Sequence, residues 1–258
     1  MKIALCQVSV APLRAQNADS SEMVSQILFG EFVEILEQKD KWWKVQVEFD
    51  GYQGWIDPKQ VLEISEEIYQ SLRNIVPSFV SDVVGLAIDH NQNPLMLSYG
   101  SVLPGFVEQT IDLGTQKINY QGSFTQIVRK EKSDLVEIAM NYINAPYLWG
   151  GKSVFGIDCS GFSQQVYKMA GYKLPRDAYQ QAELGSPLGF VAEAMAGDLA
   201  FFENPQGKII HVGIMLEDQK IIHAHGKVRV DPIDDTGIFN HELNRYTHKL
   251  RFVKSLID

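Results

Sequence analysis

Apolar runs in the first quarter of the chain, several of them alternating with polar residues, predict short β-strands. Residues 32–36 and 42–47 show this pattern, as half-buried strands do. Further strand-like runs cover residues 8–10, 26–28 and 54–56. Turn-forming residues separate the runs, for example Asp50-Gly51. Short strands at such close spacing predict a small barrel within residues 1–64.

Three pieces of this predicted barrel resemble a bacterial SH3-like (SH3b) domain. They are Gly30-Glu31 before a strand, residues 41–45 after a turn, and residues 51–56 with two glycines, a tyrosine and a tryptophan. The order and spacing of the pieces match the family. The resemblance implies an SH3b domain over residues 1–64.

Residues 65–130 are predicted to form a connector followed by further β-structure. A short helix is expected at residues 64–75. Strand-like runs follow at 82–88, 95–104 and 117–122. We interpret this region as a second SH3-like unit or as an extension of the first barrel.

From about residue 131 the apolar spacing becomes helical. Residues 133–142 and 159–170 have apolar positions three and four apart, with Gly171 after the second run. Strand-like runs return at 198–202, 209–215 and 220–224. Helices followed by antiparallel-type strands predict an α+β domain over residues 131–258.

Composition limits the classes of function. The chain has 258 residues, which suggests about two domains at roughly 150 residues each. Its 23 basic and 32 acidic residues give a net charge of −9. Such a chain is repelled by polyanions, so we predict no nucleic-acid partner and a small soluble substrate.

Two further features bear on location. The chain contains only two cysteines, so a disulfide framework is excluded. No apolar run is long enough for a membrane span, and residues 1–8 lack the apolar core of a secretory signal. We therefore predict a cytoplasmic protein with no membrane partner, or an exported one if a signal peptide was removed from this sequence.

Cys159 is the strongest candidate for a nucleophile. It precedes a helical run, and the N–H groups and partial positive charge of a helix start favour a thiolate, so we expect a lowered thiol pKa. A thiol nucleophile also needs a base, and His211 and His223 lie on two predicted strands. If these strands are neighbours, one histidine can pair with the thiol while the other orients the first.

Other interpretations of these residues are common. A lone cysteine is usually buried and inert, and a histidine within an apolar strand is usually structural. His225 competes with His223 because residues two apart on a strand face the same side, but His225 abuts Gly226. Zinc bound by Cys159 and these three histidines is a further alternative. Their spacing does not match known zinc patterns, so we predict no metal.

The remaining histidines and a nearby acidic stretch are expected to be structural. His90, His241 and His248 are predicted to lie on the surface. Residues 231–235 contain three aspartates and a proline, and we interpret them as a solvated turn.

Residues 131–258 resemble the NlpC/P60 cysteine peptidases. The matching pieces stand in the family's order across this half of the chain. They are 146–151, 156–162, 174–177 with 180–181, 196–202, 211–214 and 223–224. The resemblance implies a papain-like fold with Cys159 as nucleophile, His211 as base and His223 as the third, orienting residue.

Together, the two domains resemble the γ-D-glutamyl-L-diamino acid endopeptidases. The resemblance implies cleavage of the bond between γ-D-Glu and Lys or diaminopimelate in peptidoglycan stem peptides with a free N-terminal L-Ala. It further implies an SH3b domain that closes one end of the cleft. The acidic charge and the absence of a visible signal peptide favour a role in murein peptide recycling. The partner is then a small murein peptide, which is the substrate. The protein is expected to be a monomer and to need no cofactor.

A free amine held away from water needs carboxylate or hydroxyl partners, because an unpaired buried charge is costly. Most candidates also have a structural alternative: helix capping for the aspartates, packing of a loop onto the core for Tyr147 and Trp149, a barrel-end aromatic for Tyr52 and a solvated charge for the glutamate. The predicted substrate-binding residues are Glu22, Tyr52, Tyr147, Trp149, Asp158, Ser160 and Asp177.

Three alternatives to this function stay open. The first is an exported, wall-remodelling hydrolase of the same chemistry. The second is a non-catalytic SH3b binding protein, against which Cys159, His211 and His223 argue. The third is an acyltransferase or amidase that uses the same cysteine and histidine, because motifs alone do not separate these reactions.

Overall fold

The computed structural model describes residues 2–257, which form two compact units. The first unit contains the chain up to Ile127 together with Trp149–Phe155. The second contains Val128–Leu148 and the chain from Gly156 onward. Within residues 2–257, every helix is too short or too polar to span a bilayer.

Strands dominate both units. The first unit contains β1 (Ile3–Cys6), β2 (Val10–Arg14), β3 (Met23–Leu28), β4 (Phe32–Lys39), β5 (Trp42–Val47), β6 (Gln53–Ile56), a 3-10 turn (Pro58–Gln60), β7 (Val61–Ile64), α1 (Glu66–Arg73), β8 (Ser78–Val80), β9 (Val84–Ile88), β10 (Pro94–Ser98), β11 (Val102–Leu103), β12 (Thr110–Asp112), β13 (Lys117–Tyr120), β14 (Phe124–Gln126) and β15 (Lys152–Ser153). The second contains α2 (Asp134–Met140), β16 (Gly156–Ile157), α3 (Cys159–Met169), α4 (Ala178–Gln181), β17 (Ser186–Leu188), a 3-10 turn (Val191–Glu193), β18 (Leu199–Glu203), β19 (Ile209–Leu216), β20 (Lys220–His225), β21 (Lys227–Asp234), β22 (Gly237–Asn240) and β23 (Arg245–Ser255).

The predicted strands of residues 1–64 form one antiparallel sheet. Its seven strands lie in the order β3-β2-β6-β5-β4-β1-β7. The alternating residues of β4 and β5 face a common core, since Val33 lies opposite Val47 and Ile35 opposite Val45. Two strands of this sheet, β1 and β7, were not predicted, and the predicted run 8–10 overlaps β2 only at Val10. The alternation therefore identified the half-buried strands of the sheet but not all of its members.

The β-rich stretch that follows forms two smaller sheets, ordered β10-β9-β13-β12 and β11-β8-β14. Both contribute to one apolar core with α1, with Leu5 of β1 and with Phe29 in the turn after β3. The predicted helical connector is confirmed as α1, which Ser65 caps by accepting the backbone N–H of Ile68. This stretch therefore has its own sheets but shares its core with the first sheet.

Trp149–Phe155 is anchored on the first unit by buried polar contacts. The backbone N–H of Lys152 donates to Gln26 Oε1 at 2.8 Å, and Lys152 Nζ lies 3.5 Å from Glu31 Oε2. Gly150 adopts a φ of +80°, and a Cβ there would meet the carbonyl oxygen of Met23 at 2.3 Å. Glycine is required at this position because the backbone conformation and the close approach both exclude a side chain.

The second unit is a β-sheet with helices, as the sequence predicts. The sheet order is β17-β23-β18-β19-β20-β21-β22, and β22 also pairs with β23, so β18–β23 close into a barrel. Helix α3 packs against β19 and β20, the strands that carry His211 and His223. This packing brings the start of α3 to the strands predicted to hold the base.

Candidate active site

Cys159 is the first residue of α3, as predicted. Asp158 caps the helix, and its Oδ1 accepts the backbone N–H of Gly161 at 2.7 Å. The backbone N–H groups of Ser160 and Val212 act to lower the pKa of Cys159. Because Val212 directly follows His211 on β19, the sulfur lies beside the strand position of the predicted base.

The predicted lowering of the Cys159 pKa is wrong. Burial of the thiol and the nearby negative charge of Asp158 raise the pKa of Cys159 to about 12, against the N–H donors and the positive charge of Arg176. The side chain is only 7% exposed. The loss of hydration therefore raises the thiol pKa by more than the N–H groups at the helix start lower it. The free protein therefore holds a neutral thiol, which must lose its proton to a base as it attacks.

This thiol should show a distinctive pH dependence in alkylation. The rate of Cys159 alkylation by iodoacetamide is expected to be higher at pH 10 than at pH 7, because the fraction of free thiolate grows until the pH reaches the pKa. Cys6, also buried and with its pKa raised to about 12, serves as the internal control and should stay unmodified. Peptide mapping by mass spectrometry measures both rates. A rate for Cys159 that is no higher at pH 10 than at pH 7 would contradict a neutral resting thiol.

Two predicted site residues, His211 and His223, are joined directly. His211 Nε2 and His223 Nδ1 share a hydrogen bond of 2.9 Å, and both side chains are buried. His223 Nε2 lies 3.0 Å from Asp231 Oδ2, and Arg229 binds both oxygens of the same carboxylate at 2.7 and 2.9 Å. The result is a hydrogen-bonded chain from His211 through His223 and Asp231 to Arg229.

The electrostatics of this chain keep both imidazoles neutral at pH 7. Burial, assisted by the neighbouring histidines, holds the pKa of His211 well below its usual 6.5. Burial also lowers the pKa of His223, against the hydrogen bond and charge of Asp231. For Asp231, burial opposes ionisation, but hydrogen bonds from His223 and Arg229 outweigh it and lower the pKa. At pH 7 His211 is thus neutral and able to take up a proton, and Asp231 is an ionised carboxylate.

Two predictions for neighbouring residues are wrong. Asp231 is not part of a solvated turn but a buried residue of β21, since strand pairing with β20 places it inward. His248 is not a free surface residue, because its ring stacks on His211 with centroids 4.2 Å apart. Burial, together with neighbouring histidines, lowers the pKa of His248 to about 3. His90 and His241 are exposed, as predicted.

Three histidines in this region are close enough to hold a metal ion, but they are not the set of Cys159, His211, His223 and His225 considered from the sequence. His211, His223 and His248 each place one ring nitrogen within 4.8 Å of the others. A cation at that point would have to displace the proton shared by His211 and His223.

The predicted binding residues near Cys159 form hydrogen bonds and ion pairs within the protein itself. Arg176 pairs with both oxygens of Asp158, at 3.0 and 2.6 Å, and donates to Ser160 Oγ at 3.0 Å. Asp177 is the cap residue of α4, and its backbone N–H donates to Gln180 Oε1. Helix capping, the alternative raised for both aspartates, is therefore present. Their roles in substrate binding stay predictions.

The aromatic candidates differ in their surroundings. Burial, with a smaller contribution from nearby negative charge such as that of Asp158, raises the pKa of Tyr147 to about 12. Trp149 belongs to the first unit and is 61% exposed. Its indole Nε1–H donates to Glu22 Oε1 at 2.7 Å. Tyr52 packs against the core of the first sheet.

Three functional candidates were missed in the sequence: Arg229, Asp231 and Arg176. Arg229 and Asp231 are two apart on one strand, a spacing that places opposite charges on one side. That signal was available, but the proline and the neighbouring aspartates favoured a turn. Arg176 lies within the matched piece 174–177 and was not singled out, since only the fold brings it to Asp158.

These groups can carry out acyl transfer through sulfur. In such a reaction the thiol of Cys159 would attack a carbonyl carbon while its proton passes to His211, and the protonated imidazole would then supply a proton to the leaving amine. Water would hydrolyse the resulting thioester, with His211 again as base. Backbone N–H groups at the start of α3 are suited to stabilise the oxyanion.

Comparisons with known proteins agree with this chemistry. The model of the NlpC/P60 family matches residues 144–247, and that of the bacterial dipeptidyl-peptidase SH3 domain matches residues 13–61. A γ-D-glutamyl-L-lysine dipeptidyl-peptidase from Bacillus subtilis is 30% identical over 216 residues, covering 78% of this chain and 71% of the relative. One of that name from Bacillus cereus is 28% identical over 245 residues, covering 85% and 73%.

A solved structure shares the whole fold. The crystal structure of an NlpC/P60 family protein from Bacillus cereus superposes with a TM-score of 0.85 at 23% identity, covering 99% of this chain and 100% of that one. This match confirms the predicted combination of an SH3-like domain with an NlpC/P60 fold. The chain belongs to the NlpC/P60 family of cysteine peptidases and carries a bacterial SH3 domain.

Proposed function

We propose that this peptidase hydrolyses the bond between γ-D-Glu and the diamino acid, Lys or diaminopimelate, of peptidoglycan stem peptides that carry a free N-terminal L-Ala. The observation that carries the proposal is the similarity across both domains to two enzymes named γ-D-glutamyl-L-lysine dipeptidyl-peptidase. A dipeptidyl-peptidase removes a dipeptide from a free N-terminus. The substrate is therefore a short peptide rather than a substituted strand.

The charge and the thiol chemistry of the chain support a recycling role in the cytoplasm. A net charge of −9 disfavours binding to anionic wall polymers and leaves small peptides as suitable substrates. Both cysteines are free thiols, and the nucleophile must stay reduced to act. An exported enzyme of the same chemistry would instead release peptides from intact wall.

Two matched peptides test the proposed substrate. L-Ala-γ-D-Glu-L-Lys is expected to be cleaved to L-Ala-γ-D-Glu and L-Lys, and its N-acetylated form to be cleaved at least about 100-fold more slowly. The reason is that a site built to pair a charged amine is left with unpaired polar groups when the amine is capped. Mass spectrometry of the products gives both the bond and the rate.

The same assay identifies the alternatives. Equal cleavage of the two peptides would contradict recognition of a free amine, and cleavage at another bond would contradict the proposed specificity. Purified intact cell wall serves as the third substrate. Release of peptides from it at a rate comparable to the free peptide would contradict the recycling role and favour the exported hydrolase.

A further inference from the structure

The hydrogen bonds beside Cys159 determine where each proton of the site lies. An ionised carboxylate only accepts hydrogen bonds, and Asp231 already accepts two from Arg229. The hydrogen bond of 3.0 Å between Asp231 Oδ2 and His223 therefore needs a proton on His223 Nε2. Since a neutral imidazole carries one proton, His223 Nδ1 is an acceptor.

The same reasoning extends to the base. His223 Nδ1 accepts a hydrogen bond from His211 Nε2 across 2.9 Å, so the proton of neutral His211 is on Nε2. The lone pair of His211 is consequently on Nδ1, the ring nitrogen that is not engaged with His223. A base that takes the Cys159 proton must present that lone pair.

We propose that Asp231, held by Arg229, is a positioning residue that fixes the tautomer of His223 and through it makes Nδ1 of His211 the base for Cys159. The proposal rests on the cysteine peptidase activity, not on the identity of the peptide. The side-chain hydrogen bonds of Asp231 are with His223 and Arg229. Asp231 acts through His223, and its negative charge also stabilises the imidazolium that forms when Cys159 loses its proton.

Other charged and titratable groups face this chain. His248 stacks on His211, and His225 stacks on His223 with ring centroids 6.1 Å apart. Arg229 Nη1 also donates to Glu242 Oε2 at 2.9 Å, so the guanidinium is held from both sides. Among the residues that contact His211 and His223 in the described chain, Asp231 alone is an acid bonded to an imidazole nitrogen.

The substitution Asp231→Asn removes the charge and places an amide where Arg229 needs acceptors on both oxygens. The N–H₂ group of the new asparagine must face either Arg229 or His223 Nε2. If it faces His223, Nε2 must become an acceptor, and the protons of both His223 and His211 then move to Nδ1. At pH 7 Cys159 alkylation is expected to be about 100-fold slower than in the unchanged protein, because the thiolate exists there mainly as a pair with protonated His211. Near pH 10, where thiolate forms without protonating His211, the two rates should converge.

This convergence separates positioning from a general structural defect. A rate reduced by one factor at every pH, or a rate equal to that of the unchanged protein at pH 7, would overturn the proposal. Asp218→Asn is the matched control, since it makes the same change on an exposed turn of the same unit and should alkylate normally. With a cleavable peptide, Asp231→Asn should lower kcat about 100-fold and leave KM within a factor of two. Because alkylation needs no peptide, its result stands whichever bond the enzyme cleaves.

A direct measurement on the unchanged protein covers the case in which the variant fails to fold. Long-range ¹H–¹⁵N spectra of the imidazoles at pH 7 report which nitrogen of each histidine carries the proton. Both His211 and His223 are expected as the Nε2–H tautomer. A proton on Nδ1 of either ring would overturn the proposal.

Discussion

Replacement of Cys159 by alanine is expected to lower kcat for peptide hydrolysis by at least about 10⁴-fold. Without the sulfur there is no thioester pathway, and His211 and the N–H groups at the start of α3 retain only a small residual effect on water attack. Stability should change little, since the side chain is small and lies at the end of the helix. Product formation followed by mass spectrometry measures the loss.

Cys6→Ala provides the matched control for this variant. Cys6 is the other buried thiol, lies in β1 of the first unit and donates to the carbonyl of Val8. Its replacement should leave kcat within a factor of two, because it has no part in the site. Full turnover by Cys159→Ala, or an equal loss in both variants, would contradict the assignment of the nucleophile.

The substitution Arg176→Met is expected to destabilise the second unit by about 3–5 kcal/mol. Arg176 and Asp158 are both buried and form a two-point ion pair, so removing the arginine leaves the Asp158 carboxylate without its cationic partner. Asp158 also caps α3, which means that the loss falls on the helix that carries Cys159.

The measurement must report on the correct unit. All four tryptophans, Trp42, Trp43, Trp55 and Trp149, belong to the first unit, so tryptophan fluorescence is an internal reference for that unit. Hydrogen exchange of α3 peptides in a urea series reports the second unit. Arg245→Met, on an exposed arginine, is the control and should change stability by less than about 0.5 kcal/mol.

The double variant Arg176→Met with Asp158→Asn tests the reason for the loss. If the cost arises from an unpaired buried charge, neutralising Asp158 should recover part of it, because asparagine still caps a helix. A double variant as destabilised as the sum of the two single variants would indicate independent packing losses and contradict the role of the ion pair.

The strands found from the sequence and those missed differ in burial. β5 alternates between buried and partly exposed residues, and the pattern gave its bounds correctly. All four residues of β1, Ile3–Cys6, are buried, since the strand lies between β4 and β7 and carries no alternation. A continuous apolar run of four residues does not distinguish a central strand from other buried segments.

The sequence supplied candidate residues for the site but not their electrostatics. Cys159, His211 and His223 could be chosen because a nucleophile before a helix and histidines in apolar strands are local features. The pKa of Cys159 and the burial of Asp231 depend on which strands surround them, and that is decided by tertiary packing. For Asp231, the adjacent proline and aspartates favoured a turn, while pairing of β21 with β20 produced a strand.

Trapping the covalent intermediate tests the central claim most directly. The protein is mixed with L-Ala-γ-D-Glu-L-Lys, quenched in acid within milliseconds and digested for mass spectrometry. The account predicts an L-Ala-γ-D-Glu acyl group on the peptide that contains Cys159, and none on the peptide that contains Cys6. An acyl group on any other residue, or turnover that persists after Cys159 is alkylated, would contradict it.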